Sequence, residues 1–362
     1  MKVPFYIILS GILLLFVSCQ KMVVDERGKE IVFTAGYSVS TVPAASKASF
    51  FDNVSHLQDK SGLGGFFRVE AYKNMLVDNK NVSTSDKHFT SPTIVMYYTD
   101  VTQGVNPYWT FYNDGTNKLE ERYWPQTYNL DFLAYMPLKR GDSNNKIHTD
   151  KVLDPLSYVK EGTYDNEGND KGPVFVCENL PLAQDGQNGI KEFIYAWKPN
   201  NSHTLANGGV VPLVFKHPFA AVSLQIADAH AGTVIENFQF QNIYNNGTLH
   251  VSNNSWATSG GTGSLSISPN HHIPDNISIG HTYGPYIVIP QDHGDNVKMY
   301  VKFTWRSKPY TKEVVLKNYT DKWGPGKKYT YSISLGESLE DIKVNVKVTE
   351  WGNGTTQEIE VK

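Results

Sequence analysis

Along most of the chain, apolar side chains recur at every second position rather than at every third or fourth. The longest run sets Val297, Met299, Val301, Phe303 and Trp305 on one side, with Lys298, Tyr300, Lys302, Thr304 and Arg306 on the other. Successive strand residues point to opposite faces, so this pattern predicts a strand with one face on a core and one in water. Ser307-Lys308-Pro309 reads as a turn and Tyr310 to Leu316 as the returning strand of a hairpin. Tyr329, Tyr331, Ile333 and Leu335 alternate with Lys328, Thr330, Ser332 and Ser334. Ile342, Val344, Val346 and Val348 alternate with Lys343, Asn345, Lys347 and Thr349, and Val222, Leu224 and Ile226 with Ser223 and Gln225.

The N-terminal half gives shorter signals of the same kind. Ile31 to Tyr37, Phe66 to Tyr72, Thr93 to Tyr98, Tyr108 to Asn113, Leu130 to Tyr135, Val174 to Cys177 and Phe193 to Trp197 read as strands. Residues 38–62 and 139–172 have loop composition. No stretch has the period of an amphipathic helix of useful length. Many short strands separated by turn residues predict an all-β chain of antiparallel β-sandwiches. The Asn-, Ser- and Gly-rich segment from Pro199 to Gly209 divides the chain, giving expected domains at 31–200 and 201–362.

The first residues break this pattern. Lys2 is followed by an apolar run from Val3 to Val17, which is shorter than the ~20 residues a spanning helix needs. It reads as a signal peptide over residues 1–18. The run ends in Leu15-Phe16-Val17-Ser18-Cys19, similar to a bacterial lipobox, so Cys19 is the expected lipidation site and 19–30 a polar tether. That use of Cys19 leaves Cys177 as the one remaining thiol, with no disulfide partner in the chain. Cys177 follows Pro173-Val174-Phe175-Val176 and is expected as a small buried apolar residue. The charge balance, 33 Lys+Arg against 36 Asp+Glu, supplies no basic field for nucleic acid.

Candidate chemistry is sparse. His271, His272, His281 and His293 form the one local histidine group, but neighbours on a strand diverge, which makes a poor chelate. Asp165-Asn166-Glu167-Gly168-Asn169-Asp170 lacks the spacing and closing glutamate of a calcium loop. Gly260-Gly261-Thr262-Gly263 lacks the Lys-Ser/Thr of a phosphate cradle and reads as a flexible hairpin loop. No Gly-x-Ser-x-Gly elbow is present. Trp109, Trp124 and Trp256 are of a type that stacks on sugars, although core packing is the commoner use. These patterns prompt no enzyme activity and no cofactor.

The order of motifs is more specific than any one of them. After the lipobox come Ile31-Val32-Phe33, Tyr123-Trp124-Pro125 and Leu130-Asp131-Phe132-Leu133-Ala134-Tyr135-Met136-Pro137. Phe193-Ile194-Tyr195-Ala196 and Val211-Pro212-Leu213-Val214-Phe215-Lys216-His217-Pro218-Phe219-Ala220 follow. Then stand Ile287-Val288-Ile289-Pro290-Gln291, Trp323-Gly324-Pro325-Gly326-Lys327-Lys328-Tyr329-Thr330-Tyr331, and a last strand ending near Trp351. This series, over nearly the whole chain, resembles the fimbrillin family of Bacteroidetes, the Mfa-like subunits of type V pili.

The resemblance implies two transthyretin-like, Greek-key type β-sandwich domains in tandem. It implies a precursor held on the outer membrane by lipid at Cys19, and other fimbrillin subunits as partners in a surface fimbria. A receptor on a host or bacterial surface would be a further partner. In the family, a protease removes the N-terminal segment with its first strand, and a strand from another subunit fills the groove. Carried over residue by residue, the displaced strand would bring out Ile31 and Phe33. The donor would be Ile342, Val344, Val346 and Val348, or Ile359 and Val361 in the shorter Gln357–Val361 segment. Family members are cut after Arg in the loop behind the first strand, where this chain has Lys47; Arg27 precedes that strand. Two alternatives stay open: an anchor subunit that keeps its lipid, and a stand-alone surface lipoprotein that binds glycan or another ligand.

Overall fold

The computed structural model describes residues 30–37, 57–58, 65–89, 93–98, 108–113, 118–136, 138–140, 147–152, 163–165, 172–182, 192–204, 209–268, 271–272, 280–335, 342–351 and 356–359. Its first strands are β1 (Val32–Tyr37), β2 (Phe66–Val77), β3 (Lys80–Lys87), β4 (Thr93–Tyr98), β5 (Tyr108–Asn113), β6 (Lys118–Glu120), β7 (Asn129–Met136) and β8 (Leu138–Arg140). β9 (Ile147–Val152), β10 (Thr163–Asp165), β11 (Gly172–Cys177), β12 (Ile194–Asn201), β13 (Val210–Phe215), β14 (Ala220–Asp228), β15 (Val234–His250) and β16 (Ser255–Ile267) follow. The last are β17 (His271–His272), β18 (His281–Val288), β19 (Gln291–Asp292), β20 (Lys298–Trp305), β21 (Lys308–Val315), β22 (Lys322–Trp323), β23 (Lys327–Leu335), β24 (Ile342–Glu350) and β25 (Thr356–Ile359). The chain is all-β.

The largest sheet runs β12-β7-β2-β4-β5-β1-β13, with β3 on β2 and β6 on β5. Its two ends meet: Tyr195 of β12 and Lys216, next after β13, exchange both backbone hydrogen bonds, at 2.7 and 3.2 Å. The curled sheet encloses a core of Ile31, Phe33, Phe67, Val69, Trp109, Phe111, Phe132, Leu213 and Phe215 with their neighbours. β7 explains the run Leu130 to Met136. Leu130, Phe132, Ala134 and Met136 face that core, while Leu133 and Tyr135 face a second cluster outside it. A strand buried on both faces reads as continuously apolar.

The C-terminal half is a sandwich. A sheet ordered β18-β14-β23-β24-β25 faces one ordered β10-β11-β15-β20-β21, with β16 and β17 on β15. Between them lie Val222, Leu224 and Ile226 of β14, Phe238 and Phe240 of β15, Met299, Val301 and Phe303 of β20, and Val344, Val346 and Val348 of β24. The alternation seen in the sequence is therefore the inward row of each strand.

Strands reach across the division expected at residue 200 in both directions. β13 pairs with β1, while β10 and β11 belong to the sheet around β15. A third cluster packs the outer side of β2, β7 and β12, through Tyr72, Tyr135 and Tyr195, against Phe175, Phe219, Leu249, Ile287 and Trp351.

Several local expectations are corrected. The 139–172 segment carries β8, β9 and β10, the first two paired as a small sheet of their own. Gly260 to Gly263 lie inside β16, where Thr262 and Gly263 pair with Tyr244 and Ile243 of β15 and Gly260 and Gly261 form a bulge opposite Asn245. The turn between β20 and β21 is Arg306-Ser307, both with positive φ (48° and 63°), so Lys308 and Pro309 already belong to the returning strand. Two consecutive residues of positive φ make the turn whose twist suits a tight hairpin. Asp78 and Asn79 form the same kind of turn between β2 and β3.

Candidate assembly site

β1 is where the first-strand reading can be examined. Its Phe33, and Ile31 just before it, point inward, both about 1% exposed. The Phe33 ring meets Phe67 at 5.9 Å and Phe111 and Phe132 at 5.4 Å, each near-perpendicular. Such edge-to-face pairs add to the burial itself, which is ~1.5–3 kcal/mol for each large apolar side chain.

The backbone of β1 is held unevenly. A parallel ladder from Val32↔Val210 to Tyr37↔Phe215 joins it to β13, while toward β5 the pairing is the single match Phe33↔Trp109. At its head, the Ile31 N–H donates to the Arg122 carbonyl at 2.7 Å and the Val32 N–H to the Gly209 carbonyl at 3.1 Å. Glycine is required at 209. Its φ is +109°, and a Cβ there would stand 2.7 Å from the Glu30 carbonyl oxygen. Glu30 itself bridges to Tyr123. Partial burial, and then the charge of Glu121, push its carboxyl above the usual carboxylate range.

The donor candidates have different places. β24 lies inside its sheet, with a nine-residue ladder to β23 on one side. Val344, Val346 and Val348 are buried, and Ile342 packs at the margin of the same core. Among the described residues, β25 is the outermost strand of its sheet and pairs with β24 alone, from Thr349↔Thr356 to Val346↔Ile359. Trp351 separates the two. Its backbone N–H donates to the Gly326 carbonyl at 2.7 Å, and its ring lies parallel on His217 at 5.0 Å with the Lys328 ammonium 5.2 Å from its centre. The body of the fold is thus pinned at Trp351, and β25 follows beyond that pin. Cys19, Arg27, Lys47 and Val361 lie outside the described residues.

The other candidates are accounted for by packing. Trp109 and Trp124 are buried, and Trp256 is half-buried against Phe219 with its Nε1–H on the Pro218 carbonyl at 2.6 Å. Cys177 is fully buried, which pushes its thiol up to about 12. His293 is buried edge-on to Trp323 and bonds the Thr320 carbonyl through Nδ1 at 2.6 Å. Among the described residues, no three His, Cys, Asp or Glu side chains are grouped to hold a metal. Sequence reading missed Gly209, whose only signal was the Gly208-Gly209 pair in a segment taken as a domain boundary.

The fimbrillin-like family matches residues 106–351. The chain belongs to the fimbrillin-like family. The matched span holds β13 and all of β24, but begins after β1. Among solved structures, a fimbrial protein from Bacteroides vulgatus shares 13% identity at a TM-score of 0.51, covering 90% of this chain and 100% of its own. That likeness is one of fold. The tip fimbrial protein Mfa3 from Porphyromonas gingivalis, with C-terminal truncation, aligns over 89% of this chain and 100% of its own at 8% identity and a TM-score of 0.37. A fimbrial assembly protein from Parabacteroides distasonis aligns over 91% and 98%, at 7% identity and a TM-score of 0.38. No curated protein matches this fimbrillin-like chain.

Proposed function

We propose that this fimbrillin-like chain is a structural and adhesive subunit of a cell-surface fimbria. It is exported as a lipoprotein on Cys19, anchored first in the outer membrane, and joined to other fimbrillin subunits by strand exchange. Its role is mechanical rather than catalytic. The observation that carries this reading is the position of β1. That strand fills the core with Phe33, together with Ile31 just before it, yet has a full ladder on one side only. Loss of β1 would leave an aromatic trough between β5 and β13, lined by Phe67, Phe111 and Phe132. An extended strand with alternating apolar residues fits such a trough: main-chain bonds supply affinity and pockets supply selection.

The donor in this reading is the segment beyond Trp351, with Ile359 and Val361, rather than β24. Withdrawing β24 would uncover three buried valines of its own core, at ~1.5 kcal/mol or more each. Release of β1 is by cleavage at Lys47, since a cut at Arg27 leaves β1 attached to the rest of the chain. The test is limited trypsin digestion of the folded chain, with mass mapping of the new N-terminus and an unboiled gel. A terminus at Ala48 with a ladder of stable multimers is expected. A chain cut at Lys47 that stays monomeric overturns strand exchange. A chain resistant at Lys47 points instead to the lipid-retaining anchor.

A further inference from the structure

β7 carries one charged residue, Asp131, and it is fully buried between Leu130 and Phe132. Asp131 pairs directly with Tyr72 of β2, so it shares the outer face of the curled sheet with Tyr72, Asn74 and Asn129. Its Oδ1 is well supplied. That oxygen accepts the Asn74 Nδ2–H at 2.9 Å and the Asn200 backbone N–H at 2.6 Å. The second bond comes from a bulge of β12, where the register shifts between Lys198 and Asn201 and Asn200 has a φ of +55°. Asn129 steadies the bulge by donating to the Asn200 side-chain oxygen at 2.7 Å.

The other carboxylate oxygen, Oδ2, has no donor, and neither has the side-chain oxygen of Asn74, a residue 3% exposed. Turning the Asn74 amide over would only set its oxygen against Asp131 Oδ1. Among the described residues, no Lys, Arg or His ion-pairs with Asp131. The cations of this region are engaged elsewhere. Arg68 and Lys87 bind Glu70 at 3.3 and 3.1 Å, and the Lys73 ammonium lies 5.8 Å from the centre of the Tyr128 ring. Two neutral donors on one oxygen do not offset a carboxylate's charge in the interior, where an unpaired charge is costly. What these two touching side chains lack is a positive charge. Carboxylate and amide oxygens are hard ligands of the kind calcium takes, and calcium tolerates irregular surroundings where magnesium demands a near-ideal octahedron.

We propose that Asp131 Oδ2 and the Asn74 side-chain oxygen bind a calcium ion at the seam of β2, β7 and β12, with water completing its coordination. A single carboxylate places the affinity in the ~10⁻⁴–10⁻³ M range of extracellular modules. Tyr72 belongs to the third cluster, so the ion braces the margin of the join between curled sheet and sandwich. The inference is independent of strand exchange. The full chain is stripped with chelator and titrated with calcium, and with terbium as a luminescent probe excited through Tyr72 and Trp197, whose rings lie 6.5 Å apart. Calcium at about ten times its Kd is expected to raise the folding constant about tenfold, read as a melting temperature roughly 2 °C higher. Magnesium is expected to do far less. Terbium emission is expected to appear, to be displaced by calcium, and to be lost in Asp131→Asn. Should Asp131→Asn fold poorly, Asn74→Asp makes the opposite change: a second carboxylate is expected to tighten calcium binding about tenfold. Terbium emission and a calcium shift that persist in folded Asp131→Asn overturn the proposal, as do wild-type and Asn74→Asp chains that calcium leaves unmoved. An Asp131→Asn chain more stable than wild type with and without calcium also overturns it, since Asp131 would then be held as a neutral acid.

Discussion

Phe33 and Gly209 do opposite jobs at the head of the N-terminal core. Phe33 fills space and Gly209 leaves it empty. Three aromatic rings close around Phe33, so its truncation opens a large cavity. Phe33→Ala is expected to cost about 3–5 kcal/mol in urea denaturation and to make the uncut chain exchange strands faster. A fall in stability with no gain in exchange would mean that β1 is an ordinary core strand. Phe33 was legible because Ile31-Val32-Phe33 alternates in a short apolar run. Gly209 was not, because its need arises from the Glu30 carbonyl, 179 positions away in sequence and across a strand boundary.

At the scale of elements, β24 and β25 divide a role that one apolar pattern in the sequence assigned to either. β24 alternates because it completes its own sandwich. β25 adds a short ladder outside it, after the pin at Trp351. Deleting residues 352–362 is expected to leave the melting temperature nearly unchanged and to abolish polymer growth after cleavage. The cut, truncated chain should still accept a donor from intact subunits, seen as capped short ladders on an unboiled gel. Polymer growth by the truncated chain would return the donor role to β24. The alternation of β20, β23 and β24 was visible because each has one wet face. β3 and most of β15 and β16 were not, since their Asn, Ser, Thr and Gly content matches loops, and only pairing along β15 makes them strands.

Over the whole molecule, three clusters couple the parts, and the third, around Tyr135, Phe175, Tyr195 and Trp351, ties the curled sheet to the sandwich. Stability should also depend on pH through two histidines in distant places, His293 buried and His88 half-buried. Burial holds His293 below its ordinary value of 6.5, against the opposing charges of Asp292 and Asp321, and burial, then Lys73 and Arg122, lowers His88. Below that ordinary value the unfolded chain takes up protons that the folded chain refuses, so stability falls with acidification. The melting temperature is expected to drop between about pH 7.5 and about pH 5, and to drop less in His293→Gln. An equal drop in that variant would place the sensitivity elsewhere. The sequence by itself determined the all-β class, the inward row of nearly every one-sided strand, and the family, because alternation and turn chemistry are local. Only the tertiary structure decided that β1 runs parallel beside β13 and that the curled sheet closes through Tyr195 and Lys216. Those facts depend on which strands meet and in what register, and no short stretch of residues carries that.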